Sequence, residues 1–161
     1  MSWQLRFNGI LLVLAILGSA AVHAQSPDRA PALGAFVGTT SSDGDMLVGG
    51  GTTVPLRHHV LAAASLSGEL SSSELLIATL MLRHNLGSSG IQPYVGLGMD
   101  WTHHAGRSDL GGAVALGVEW PLPWVATDQA RSVFSFFGEG HLHTTGYAAV
   151  RAVAGVRGEL W

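Results

Sequence analysis

Between residues 91 and 120 the chain alternates strictly. Pro93, Val95, Leu97, Met99 and Trp101 take every second position, with Tyr94, Gly96, Gly98, Asp100 and Thr102 between them. Leu110, Val114, Leu116, Val118 and Trp120 then alternate with Gly111, Ala113, Ala115, Gly117 and Glu119. A period of two belongs to a β-strand, whose successive side chains point to opposite faces. The rhythm returns where Val150, Ala152, Ala154, Val156 and Leu160 alternate with Arg151, Val153, Gly155, Arg157 and Glu159. After residue 32 the chain divides into eight such runs, near 33–40, 45–56, 58–69, 73–84, 91–103, 110–120, 132–143 and 147–161. The clusters SSDGD, LSSS, NLGSSG, HAGRSD, PLPWVATDQA and TTG, together with the Pro55–Arg57 corner, separate them. Runs of roughly nine to fourteen residues suit a tilted strand that crosses a bilayer, and an even number of them closes an antiparallel barrel.

The distribution of charge decides which face points inward. Charges share the face that carries Gly and Ala, whereas the opposite face is continuously apolar. A soluble barrel would hold the bulky apolar residues inside. A membrane barrel does the reverse, because lipid tolerates no unpaired charge and a lumen of eight strands admits only small side chains and paired ions. The expected fold is therefore all-β, an eight-stranded antiparallel transmembrane β-barrel. Arg83, Asp100, Glu119, Arg131, Glu139, Arg151, Arg157 and Glu159 are its candidate lumen charges, forming a polar plug. Phe137 also falls on the charged face. Trp101 and Trp120 sit at strand ends on the apolar face, where interface aromatics belong. A three-residue loop at Thr144-Thr145-Gly146 would set His143 opposite Tyr147, Glu139 opposite Arg151 and Arg131 opposite Glu159.

The N-terminus reads differently. Arg6, the apolar stretch from Ile10 to Leu17 and the small-residue site at Val22-His23-Ala24 form an export signal over 1–24. Residues 25–32 (QSPDRAPA) are a flexible lead-in, and 33–161 form the barrel domain. With both termini on the periplasmic side, the long PLPWVATDQA connection also falls there, although periplasmic turns are normally the short ones.

Composition narrows the choices. Apolar residues make up 47% and charged residues 12%, the net charge is −3, and all eight cationic side chains are Arg. No basic face exists for nucleic acid. The absence of cysteine removes disulfides, a thiolate nucleophile and a lipoprotein acylation site.

The eight inside-out runs and the terminal Trp161 together resemble the small outer-membrane barrels of the OmpA/OmpX type. That resemblance implies outer-membrane lipid as the surroundings, the barrel-assembly machinery as a partner during insertion, and a monomer. The terminal pattern departs from such proteins. Arg157 and Glu159 occupy the alternate positions that should be apolar, and a bulge at Gly158 would restore the phase.

Seven histidines follow the signal segment. His104, His141 and His143 are weak metal candidates at the lumen mouth, with Glu139 and Asp100 able to orient them. The segment His141–Gly146 also resembles the His-x-Ser arrangement of outer-membrane lipid A deacylases, with His143 as base and Thr145 in place of the serine. The expected protein is nevertheless non-enzymatic and cofactor-free, with a narrow charge-plugged lumen and a role in envelope structure, surface interaction or limited permeation. A lipid-modifying barrel enzyme and a soluble periplasmic barrel binding an apolar ligand are the rivals.

Overall fold

A computed structural model describes residues 30–41, 44, 46–57, 59–70, 75–87, 90–122, 134–144 and 150–160. The signal segment, most of the lead-in, Trp124, Arg131, Thr145 and Trp161 lie outside the described residues. Eight strands follow one another: β1 (Ala32–Thr40), β2 (Met46–Arg57), β3 (Val60–Glu69), β4 (Leu76–Asn85), β5 (Gln92–His104), β6 (Arg107–Pro121), β7 (Phe134–His143) and β8 (Val150–Glu159). Each pairs antiparallel with its sequence neighbours, and β8 returns to β1, so the sheet is a closed barrel. Closure gives every strand two partners, which is what a sheet needs where no water can satisfy an open edge.

The register fixes the barrel's stagger. Successive partners from Glu119 run through Phe137, Gly155, Phe36, Gly49, Ser67, Ile77 and Thr102, and return to β6 at Asp109, ten residues from the start. A stagger of this kind tilts the strands and leaves a lumen that side chains can fill.

The alternation in the sequence becomes two faces. Among the described residues, 24 large hydrophobic side chains are exposed, including Leu80, Leu97, Leu116, Trp120 and Phe136. The largest fully buried side chains begin with Arg83 and Arg151. In water this distribution would be inverted, since contiguous apolar patches of such extent mark an interaction surface. In lipid it is the stable one. Phe137 does point inward, where it meets Phe36 edge to face at 6.4 Å and packs with Val153.

Three local expectations need correction. The HAGRSD loop shrinks to the two-residue turn Ala105-Gly106, with His104 opposite Arg107. Both turn residues have positive φ (47° and 80°), the conformation a tight hairpin turn needs to match strand twist. Gly158 sits in continuous register, opposite Phe134 and Leu33, and carries no bulge. The irregularity lies in β2 instead, between Pro55 and Arg57. The last hairpin is offset by two residues, so that His141 faces Arg151 and Glu139 faces Val153. The cause is Thr144, whose N–H donates to the Gly112 carbonyl at 3.0 Å while its hydroxyl accepts from the Gly112 N–H at 2.7 Å. Thr144 thus extends the β6–β7 pairing and does not begin a three-residue turn.

Leu122 donates its N–H to the Phe134 carbonyl (2.9 Å) at the end of the barrel where β1 begins and β8 finishes. That end is called the terminal end below, and the opposite one the far end.

A left-handed alanine is strained relative to Asn or Gly. Ala105→Asn should therefore raise unfolding free energy by about 1 kcal/mol. Urea titration of the protein refolded in vesicles measures this, and a lower stability would contradict the turn geometry.

Candidate functional site: the lumen

Side chains reach across the lumen at two levels. Near the terminal end the node is Glu119 on β6. Arg83, from two strands to one side, ion-pairs with Glu119 Oε2. Arg157, from two strands to the other side, donates to the same oxygen at 2.9 Å, and the Ser135 hydroxyl donates to Oε1 at 2.6 Å. Arg83 Nε also donates to Asn85 Oδ1 at 3.0 Å, and its guanidinium carbon lies 3.3 Å from the centroid of the Tyr94 ring. That ring rests on Gly117, where a Cβ would collide with it, so glycine is required for the close approach. Arg157 lies 4.6 Å from the Phe137 centroid. Charge-assisted bonds of this kind are shorter and stronger than neutral ones, and each remaining donor still needs a partner in a dry interior.

Toward the far end the chain of contacts continues through Glu139. It accepts from the Tyr94 hydroxyl at 2.8 Å and from His141 Nε2 at 3.0 Å. Arg151 Nη2 lies 3.1 Å from His141 Nδ1. A guanidinium has no acceptor, so Nδ1 accepts and Nε2 carries the hydrogen donated to Glu139. Arg151, which starts on β8, also donates to Ser67 on β3 (3.3 Å) and Thr79 on β4 (3.1 Å), thereby crossing to the opposite wall. His143 Nδ1 pairs with the fully buried Asp100, and the His141 and His143 rings stack 5.6 Å apart at 7°. Between the two levels lies a cavity of about 40 Å³, lined by Gly51, Ala63, Ser65, Glu139, Arg151 and Arg157 among others. It has room for about three waters.

Of the eight candidate lumen charges, the structure gathers Arg83, Glu119 and Arg157 into one network, and Glu139 and Arg151 into another bridged by His141. Asp100 joins the second through His143. Glu159 lies on the inward face of β8 opposite Ala32. The expected direct Glu139–Arg151 pair is not made, because the two-residue offset puts His141 in Glu139's place. Arg131, its expected partner Glu159's counterpart, lies outside the described residues. As for the weak metal candidates His104, His141 and His143, among the described residues no three His, Asp or Glu side chains form a group able to hold a metal ion. The nitrogens that face His141's neighbours are already engaged by Glu139 and Arg151. Trp101 and Trp120 face outward, Trp101 with its ring stacked on His103 (5.8 Å, 18°).

Sequence reasoning did not single out Tyr94, Asn85, Ser135, Thr79 and Ser67, which complete the networks. Their inward parity was visible. Asn85 meets Arg83 on its own strand, whereas the partners of the other four lie one to several strands away, and only the stagger of the barrel reveals those.

This arrangement defines the fold class: a closed eight-stranded antiparallel β-barrel of the transmembrane type. Among solved structures, the N-terminal barrel domain of Pseudomonas aeruginosa OprF is similar, with a TM-score of 0.63, 15% identity, and coverage of 82% of this chain and 98% of that one. A barrel from the de novo design of transmembrane β-barrels matches at 0.63, with 14% identity and coverage of 85% and 99%. The designed barrel TMB2.3 matches at 0.56, with 14% identity and coverage of 84% and 99%. No family model and no curated protein matches the sequence.

Glu119→Gln leaves two guanidinium groups without their shared anion, and should cost about 3 kcal/mol or more, the usual penalty for breaking a buried pair. Arg151→Met should cost less, because Arg151 has no carboxylate within ion-pair distance among the described residues and its hydroxyl partners can pair with water. Urea unfolding in vesicles compares the two. Equal losses would contradict the central place given to Glu119.

Proposed function

We propose that the chain is an integral outer-membrane protein whose barrel is closed by its own side chains, contributing to envelope structure or surface contact and passing at most small solutes slowly. The observation that carries this reading is the pair of crossings in the lumen. Arg83 and Arg157 converge on Glu119 from either side, and Arg151 reaches the far wall at Ser67 and Thr79. A hydrated ion would have to part these contacts, at the cost of leaving buried charges unpaired. Export by the signal segment, insertion by the barrel-assembly machinery and a monomeric state accompany this reading as expectations from the sequence.

An enzymatic reading has one observation in its favour, the Asp100–His143 pair, in which a carboxylate holds an imidazole by Nδ1 as general bases are held. His143 Nε2 has no hydrogen-bond partner among the described residues, and Thr145, which would have to supply the hydroxyl for acyl transfer, lies outside them. Mass spectra of lipid A from cells with and without the protein separate the two readings. Unchanged lipid A is expected, and loss of an acyl chain only in cells carrying the protein would overturn the non-enzymatic reading.

Planar-bilayer recordings test the closed lumen. The wild type should conduct little, and Arg151→Ala combined with Arg157→Ala should raise ion flux at least about tenfold, as expected when side chains that fill a narrow lumen are removed. A wild type that conducts as freely as the double variant would contradict a closed barrel.

A further inference from the structure

The outward face of the barrel is almost free of charge. Among the described strand residues that alternate to the outside, none is Asp or Glu, and Arg57 is the only Arg. It sits at the terminal end of β2, and its position depends on the bulge. Pro55 faces inward opposite Leu61, and uninterrupted alternation would turn Arg57 inward as well. The register shift between them pairs Arg57 with outward-facing Val60 instead. A bulge that re-aims a single side chain is a specific feature, and here it places an exposed guanidinium on the lipid side of the barrel.

Two histidines stand beside it. Val60 pairs in turn with His84 on β4, so Arg57, Val60 and His84 form a row across three neighbouring strands. His59, in the turn between β2 and β3, brings its ring 6.2 Å from that of His84. Arg57, His59 and His84 are all exposed, and Arg57 makes no ion pair among the described residues. Exposed apolar side chains flank the row: Leu56 at 48%, Leu82 at 57% and Leu86 at 59%. The patch therefore offers a guanidinium and two imidazoles at the level where an apolar wall ends.

We propose that Arg57, His59 and His84 form a headgroup site for an anionic phospholipid in the leaflet at the terminal end of the barrel. The guanidinium meets the phosphate through its paired donors, each imidazole can offer an N–H, and the acyl chains lie along Leu56 and Leu82. Among the described residues the neighbouring outward wall supplies no carboxylate to repel the headgroup. The site rests on the membrane-spanning reading, but it makes a separate claim about lipid selection.

The test is reconstitution in nanodiscs of equal phosphatidylglycerol and phosphatidylcholine, followed by native mass spectrometry of the lipids that stay bound. The wild type should retain phosphatidylglycerol preferentially. Arg57→Gln should lower that preference about fivefold, the equivalent of roughly 1 kcal/mol for one cationic side chain at a membrane surface. Arg57→Lys should keep most of it, and His59→Gln with His84→Gln should reduce it further in the Arg57→Gln background. Arg107→Gln, at the far end, should leave it unchanged. Equal retention of both lipids by the inserted wild type, or an Arg57→Gln preference equal to the wild type's, would overturn the site. A wild type that fails to insert at all would instead overturn the membrane reading.

Discussion

Glu119 answers two guanidinium groups that approach from opposite sides, and this one carboxylate shows the constraint under which the whole lumen is built. In the membrane-spanning reading lipid surrounds the barrel, so a charged side chain has nowhere to go but inward. Inside, the space is too narrow for bulk water, so each charge must find its partner across a few ångströms of protein. Arg83 and Arg157 lie on strands two steps to either side of Glu119, and the ten-residue stagger brings them to its level. Ser135 occupies the second carboxylate oxygen. Tyr94 then links this level to the next by stacking under Arg83 and donating to Glu139. From Glu139 the contacts pass through His141 to Arg151 and so to the opposite wall.

Between these polar levels, Phe36 and Phe137 supply an apolar layer, and glycines make the room. Gly117 lies under the Tyr94 ring, and Gly49 and Gly155 lie against Phe36. High glycine content is therefore a packing requirement of large inward side chains in a narrow barrel, as much as a sign of turns. The same economy governs the outside. Among the described strand residues, the Arg and His side chains of the outward face, Arg57, His84 and His103, are confined to strand ends.

Much of this was legible in the sequence, for a physical reason. Period-two alternation is a local property, so the eight strands, their faces and the inward charges could be read residue by residue. Observed strand ends fall within about three residues of the expected ones, as element boundaries usually do. Register is less local. The last hairpin looked like a three-residue turn because Gly146 suits one, but Thr144 is engaged by Gly112 on β6, a contact that no window of β7 and β8 contains. The resulting shift kept every side chain on its expected face and changed every partner. His141 thus meets Arg151, where Glu139 was expected to. The shifted C-terminal alternation calls for a bulge at Gly158, but the irregularity occurs at Pro55–Arg57, where proline cannot donate to the ladder.

The account's central claim is that the apolar face meets lipid while the charged face fills the interior. Methyl NMR of the protein in nanodiscs containing a spin-labelled acyl chain reads this directly. Methyls of Leu80, Leu97 and Leu116 should be strongly broadened by the label, and those of Leu47, Leu61 and Ile77 should be spared. Broadening of the second group with sparing of the first would contradict the inside-out barrel.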